Sequence, residues 1–155
     1  MEIRSRWHED TAKSINSYKD SLDKKEIKKY KLDLLLRIAG RLAEFSPECG
    51  QCQILQQEIT VFVQELGYLI QSPQKEGRKR YFRAINRIIQ HFQHEHKLVK
   101  SGQYVGLWMA IGSGIGVAIG AGMGSVGGGI PIGVAIGTGI GMMLDAKAKK
   151  EGKVI

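Results

Sequence analysis

The sequence predicts an all-α protein: a cytoplasmic bundle of amphipathic helices followed by a transmembrane helical hairpin. Three observations predict it. Apolar residues recur at three- and four-residue spacing through the first hundred positions, with no clear alternating run. Lys100 and Asp145 then bracket 44 residues (101–144) without a single charge. Fifteen of the 20 glycines fall inside that stretch.

Composition narrows the field. At 155 residues the chain suits one domain, or a small domain with an appendage, and is too short for a full-size barrel enzyme. Apolar residues at 43% and charged residues at 25% argue against a disordered chain. Two cysteines are too few for a disulfide framework. The net charge is +8, of which the first hundred residues hold +6 and the last eleven +2. We therefore divide the chain into a basic helical bundle (1–100), a Gly-rich hairpin (101–144) and a basic tail (145–155). Residues 1–30 carry charges throughout and lack an apolar core, so no secretory signal is expected there.

The first twenty residues are polar, with a weak helix expected over Thr11–Leu22. A second helix is expected over Lys24–Phe45. Its apolar face runs through Ile27, the stem of Lys31, Leu34, Leu35, Ile38, Leu42 and Phe45. Ser46-Pro47 ends it. A third is expected over Glu48–Gln71, with Leu55, Ile59, Phe62, Leu66 and Leu69 on one side. Ser72-Pro73 stops it, and Pro73 is placed to open the next helix. The fourth is expected over Gln74–Val99, with Tyr81, Ile85, Ile88, Ile89, Phe92 and Val99 as its stripe. Short loops between such helices imply an antiparallel bundle.

The fourth helix also carries Lys79, Arg80, Arg83 and Arg87 on its polar side. Beside a membrane such a cluster attracts anionic head groups, so these four are the candidate lipid-headgroup residues. No aromatic interleaves this face, which disfavours nucleic acid as a partner.

Cys49-Gly50-Gln51-Cys52 is a C-x-x-C at a helix start. Helices three and four turn near Ser72, and equal counts from that turn reach Cys52 on one side and Phe92 on the other. The cysteines therefore lie level with His91, His94 and His96. Two cysteines and two histidines are a composition that binds zinc. On an unbroken helix His96 shares the apolar stripe with Phe92 and can face Cys52, whereas His91 and His94 fall on the polar face. The first ligand set is thus Cys49, Cys52 and His96, with His91 and His94 as alternatives. A four-ligand site requires the helix to end before His96. A thiol–disulfide switch is the alternative chemistry for the pair. A third reading makes Cys52 a small buried hydrophobe, Cys49 an ordinary helix-start residue and the histidines a solvated face. No cofactor is expected on that reading, and zinc is the one candidate otherwise. No phosphate loop, nucleophile elbow or pair of carboxylates on an apolar face is present, so no catalytic residues are assigned.

The charge-free stretch is long enough for two spans. We place them at Tyr104–Val126 and Ile130–Leu144, with the turn at Gly127-Gly128-Gly129-Ile130-Pro131. Basic residues flank both outer ends, which predicts both termini in the cytoplasm. Gly112, Gly116, Gly120, Gly124 and Gly128 recur every four residues, as do Gly129, Gly133, Gly137 and Gly141. Each series makes a smooth groove on which another helix packs closely. Residues 104–144 resemble the glycine-zipper two-helix domains of small bacterial membrane proteins, and that resemblance implies membrane packing and oligomers but no activity.

The expected function is a non-enzymatic, membrane-anchored adaptor or scaffold that self-associates through its glycine faces. Its expected partners are membrane lipids, other copies of the chain and a protein not identified by sequence. Two alternatives stand beside it. One is a redox- or zinc-responsive membrane module using Cys49, Cys52 and His96. The other is a membrane-permeabilising oligomer.

Overall fold

A computed structural model describes residues 2–72 and 74–155, with the side chains of residues 2–5 outside the description. Every regular element among the described residues is helical: α1 (Glu2–Ser21), α2 (Lys24–Tyr30), α3 (Leu32–Phe45), α4 (Gly50–Gln71), α5 (Lys75–His94), α6 (Gln103–Gly122) and α7 (Val126–Lys150). The chain divides into two compact units, Met1–Glu95 and His96–Ile155.

The first unit is a helical bundle whose core is built from the expected stripes. Leu35, Ile38 and Leu42 of α3 are fully buried. So are Ile59 and Leu66 of α4, and Ile88 and Phe92 of α5. Helix α1 begins well before the expected Thr11, and Ile15 of that helix is also fully buried. Trp7 donates its indole N–H to the Thr60 hydroxyl at 3.0 Å, fastening α1 to α4.

The helix expected over Lys24–Phe45 is broken in two at Lys31. Lys31 adopts a left-handed conformation (φ 53°, ψ 42°), and its N–H reaches back to the carbonyls of Ile27 and Lys28. The break has a packing cause. Tyr30 and Leu32 are both fully buried, which one continuous helix cannot easily arrange for positions 200° apart. Lys31 therefore does not lend its stem to the core; it is exposed, with its ammonium 5.6 Å from the Phe82 ring centroid. The Tyr30 carbonyl accepts the buried Tyr81 hydroxyl at 2.9 Å. Pro73 lies outside the described residues; α5 starts at Lys75 with Gln74 as its cap.

Helix α5 also stops earlier than expected, at His94, and Lys97 turns left-handed (φ 54°). Val99 is not helical. Within the second unit it pairs with the C-terminal segment: its N–H donates to the Lys153 carbonyl at 2.8 Å, and its carbonyl accepts the Ile155 N–H at 2.9 Å. The residues expected as a basic tail thus continue α7 and then fold back.

Helices α6 and α7 are long and apolar enough to cross a membrane. At about 1.5 Å per residue their 20 and 25 residues give lengths of about 30 and 37 Å. They form an antiparallel hairpin, but its turn is not the expected Gly127–Pro131. It lies at Met123–Ser125, where Gly124 takes φ +72°. Pro131 sits inside α7 as its sixth residue, just past the four N–H groups that a helix start leaves free, so its missing N–H removes the intrahelical bond to the Gly127 carbonyl.

The interior of the hairpin is backbone. Gly112, Gly116 and Gly120 of α6 meet Gly129, Gly133, Gly137 and, beside Val105, Gly141 of α7. A Cβ on Gly116 would lie 2.5 Å from the Gly129 carbonyl oxygen, and one on Gly141 would lie 2.5 Å from the Val105 Cα. Gly124 and Gly128 are not part of this seam: a Cβ on Gly124 would meet nothing within 4 Å, and one on Gly128 would meet only the Ser125 hydroxyl, at 3.2 Å. The aliphatic side chains point outward, with Ile115, Ile119, Ile132 and Ile136 all exposed.

Candidate metal centre

The end of α5 and the start of α4 bring the chemistry-bearing side chains together. Pro47 and Glu48 lead from α3 into an extended Cys49 (φ −130°, ψ 103°), which caps α4. Cys49 thereby stands outside the helix, clear of the apolar stripe. Cys52 follows in the first turn and is fully buried. His91 lies in the last turn of α5. The helix then ends, and the turn delivers His96 five residues later.

Cys49, Cys52, His91 and His96 each offer one ligand atom, and the four atoms all lie within 4.8 Å of one another. The His91 Nε2 is 3.3 Å from the Cys49 Sγ and 3.3 Å from the Cys52 Sγ. A tetrahedral zinc ion with bonds of about 2.0 Å to nitrogen and 2.3 Å to sulfur holds its ligand atoms about 3.3–3.8 Å apart. The group is therefore compact enough to close on one ion with small movements. The division between the two units falls in this turn. Cys49, Cys52 and His91 belong to the first unit, and His96 is the residue immediately after its last.

The histidine assignment changes accordingly. His91, expected on the polar face, is in the cluster beside His96, whereas His94 is exposed and outside it. The helical wheel misleads because the site is not set by the Cys52 stripe alone. Cys49 is a cap residue outside the helix, while Cys52 is fully buried in the first turn of α4. His91 follows the buried Ile88 by three positions and is half-buried in the last turn of α5. The expected helix end before His96 is found.

Neither cysteine is in a disulfide. Burial, and then the neighbouring Cys49, push the Cys52 thiol up to about 12. Without a cation the pair resists forming a thiolate at Cys52, which disfavours it as a nucleophile at neutral pH. A bound divalent ion reverses this balance by stabilising the charged sulfur directly. Two soft sulfurs and two imidazoles at C-x2-C and H-x4-H spacing are a zinc-type donor set.

The basic face of α5 is partly neutralised. Arg87 pairs with Glu58 of α4, Lys79 with Glu76 at 2.8 Å, and Arg80 with Glu65 at 3.9 Å. The Arg80 guanidinium also lies 5.5 Å from the Phe62 ring centroid. Arg80 and Arg87 thus reach across to α4, whereas the Lys79 pair stays within α5, and Arg83 shares their helix.

One structural acid escaped the sequence reading. The Asp145 carboxylate accepts the backbone N–H groups of Tyr104 and Val105 at 3.2 and 3.3 Å, capping α6 from the far end of α7. Its only sequence signal is its position as the first charge after the apolar stretch.

Comparison with family models, with characterised proteins and with solved structures gave no match.

Proposed function

We propose that the chain is a non-enzymatic, membrane-anchored module whose helical bundle is stapled by one zinc ion at Cys49, Cys52, His91 and His96. The observation that carries this reading is the convergence of four ligand atoms within 4.8 Å. The ion would cross-link the start of α4 to the end of α5, the two helix ends that no short loop joins. Its role is structural, because four protein ligands leave no open position for substrate. His91 and His96 supply the nitrogens, and burial around Cys52 keeps water from competing for that sulfur.

The anchor is the α6–α7 hairpin. An isoleucine-covered outer surface around a glycine seam suits lipid, where close backbone packing supplies the attraction between helices. Lys97 and Lys100 precede the hairpin and Lys147, Lys149 and Lys150 end it, so both ends belong on the cytoplasmic side. The glycine faces are used within one chain, which favours an anchor over a glycine-lined pore. The bundle is left to present the adaptor surface.

The test is metal content of the full chain, purified in mild detergent without chelator. About one zinc per chain is expected, lost in Cys52→Ala and His91→Ala and kept in His94→Ala. Wild-type protein that takes up no zinc even after incubation with it would sink the reading. The anchor is tested separately by extraction of native membranes with alkaline carbonate, which should leave the chain in the pellet.

A further inference from the structure

Helix α4 carries two stripes, and only one is used by the bundle. Leu55, Ile59, Phe62 and Leu66 face inward. On the opposite side Ile54, Val61 and Tyr68 recur every seven residues and are 59%, 43% and 67% exposed. Gln57, Gln64 and Gln71 recur in the same period three residues later and are exposed as well. Three apolar and three glutamine positions in alternating three- and four-residue steps are the a and d positions of a heptad seam. They run the length of α4 on its solvent side.

We infer that this face is a self-association seam, on which a second copy of the chain docks its own α4 in parallel about a two-fold axis. Charge chooses the occupant. The chain is strongly basic, with 23 Lys and Arg, yet α4 contains none over its 22 residues. A +8 chain repels its own copy except where a face is free of cations, and this is such a face. A strongly charged partner would find no complementary charge along the six seam positions. Glutamine is suited to meeting itself, because its amide both donates and accepts. In a parallel pair each residue faces its own copy, so apolar layers at Ile54, Val61 and Tyr68 alternate with amide layers at Gln57, Gln64 and Gln71. Polar layers of this kind fix alignment and strand number at some cost in stability. Glu58 and Glu65 flank the seam and are drawn to Arg87 and Arg80 of their own chain, which removes a like-charge clash between copies. This inference does not rest on the zinc reading.

The test is the protein mass of the full chain in detergent, by light scattering with the detergent contribution subtracted. Twice the chain mass is expected for wild type. Val61→Glu should return a single-chain mass, and so should Gln57→Lys combined with Gln64→Lys, two exposed changes that leave the bundle core untouched. Helical circular dichroism should match wild type in each case. Gln64→Cys should form a disulfide-linked dimer on mild oxidation, because parallel copies bring position 64 against itself. A single-chain mass for wild type overturns the inference and leaves the face to a different partner. A dimer that survives Val61→Glu, or no cross-link at position 64, overturns it equally.

Discussion

The carboxylate of Asp145, near the end of α7, caps the backbone N–H of Val105 in the first turn of α6. Helix N-termini leave four donors without intrahelical partners, and donors left bare away from water are costly. Gly102, the residue at the cap position itself, has no side chain to offer. The acid that does the work is 40 residues away in sequence.

Asp145→Ala should therefore destabilise the hairpin by about 1 kcal/mol, in the range of a lost helix cap. Asp145→Asn should lose less, because the amide oxygen still accepts. Hydrogen exchange in detergent checks this directly: the Tyr104 and Val105 amides should exchange faster in the alanine variant, with the α4 amides unchanged.

Glycines inside and outside the seam should separate cleanly. Gly116→Ala places a Cβ at 2.5 Å from a backbone oxygen that cannot move without parting the helices. Gly114→Ala meets nothing within 4 Å. The first should lower the melting temperature in detergent. The second should leave it unchanged or raise it, since alanine is favoured over glycine in a helix by up to about 1 kcal/mol.

Metal removal should loosen one end of the bundle. Chelation is expected to lower the melting temperature and to expose Cys49, which is already half-buried, to alkylation before the fully buried Cys52. Mass spectrometry of partly alkylated protein reads the order. Equal labelling of both cysteines in folded, metal-free protein would contradict the burial of Cys52. Acid should release the metal as protons compete for the sulfur and imidazole ligands.

Tyr81 sets an alkaline limit. Burial raises its pKa above the ordinary value of 10.0, and its hydroxyl donates to the Tyr30 carbonyl. Below about pH 10 the phenol is neutral in both folded and unfolded chains, and its contribution is fully present. Above that pH the unfolded chain ionises first, so stability falls by about 1.4 kcal/mol per pH unit until the folded protein ionises too. Tyr81→Phe should cost about 1 kcal/mol at neutral pH for the lost hydrogen bond and flatten the alkaline fall. Denaturant titrations at pH 8 and above about pH 10 compare the two.

The sequence shows the buried stripes of α3, α4 and α5 because burial there follows helical period. It hides the break at Lys31, because a lysine inside an apolar stripe reads as a snorkelling side chain rather than a change of direction. That the two cysteines lie level with the histidines is legible from equal counts on either side of the turn near Ser72. Which histidines approach them is not, since the choice of His96 rests on an unbroken helix, whereas α5 ends at His94 and both His91 and His96 come near the sulfurs. The hairpin turn is misplaced for a related reason. Gly127–Gly129 look like turn residues, yet close approach claims Gly129, and Gly124 supplies the left-handed conformation. Asp145 could not be read from local pattern, because its partners are brought to it only when the hairpin closes.

A ladder of glycines four residues apart looks the same after one helix slides past the other by one rung. Such a seam has no side chains to interlock, so it holds α6 and α7 close without naming a register. That information lies at its two ends. The Ser125 N–H donates to the Gly120 carbonyl at 2.8 Å and pins the turn, while Asp145 latches the open end at Tyr104. Slippage by a rung would have to release both at once, so the middle of the hairpin is interchangeable and its ends are not.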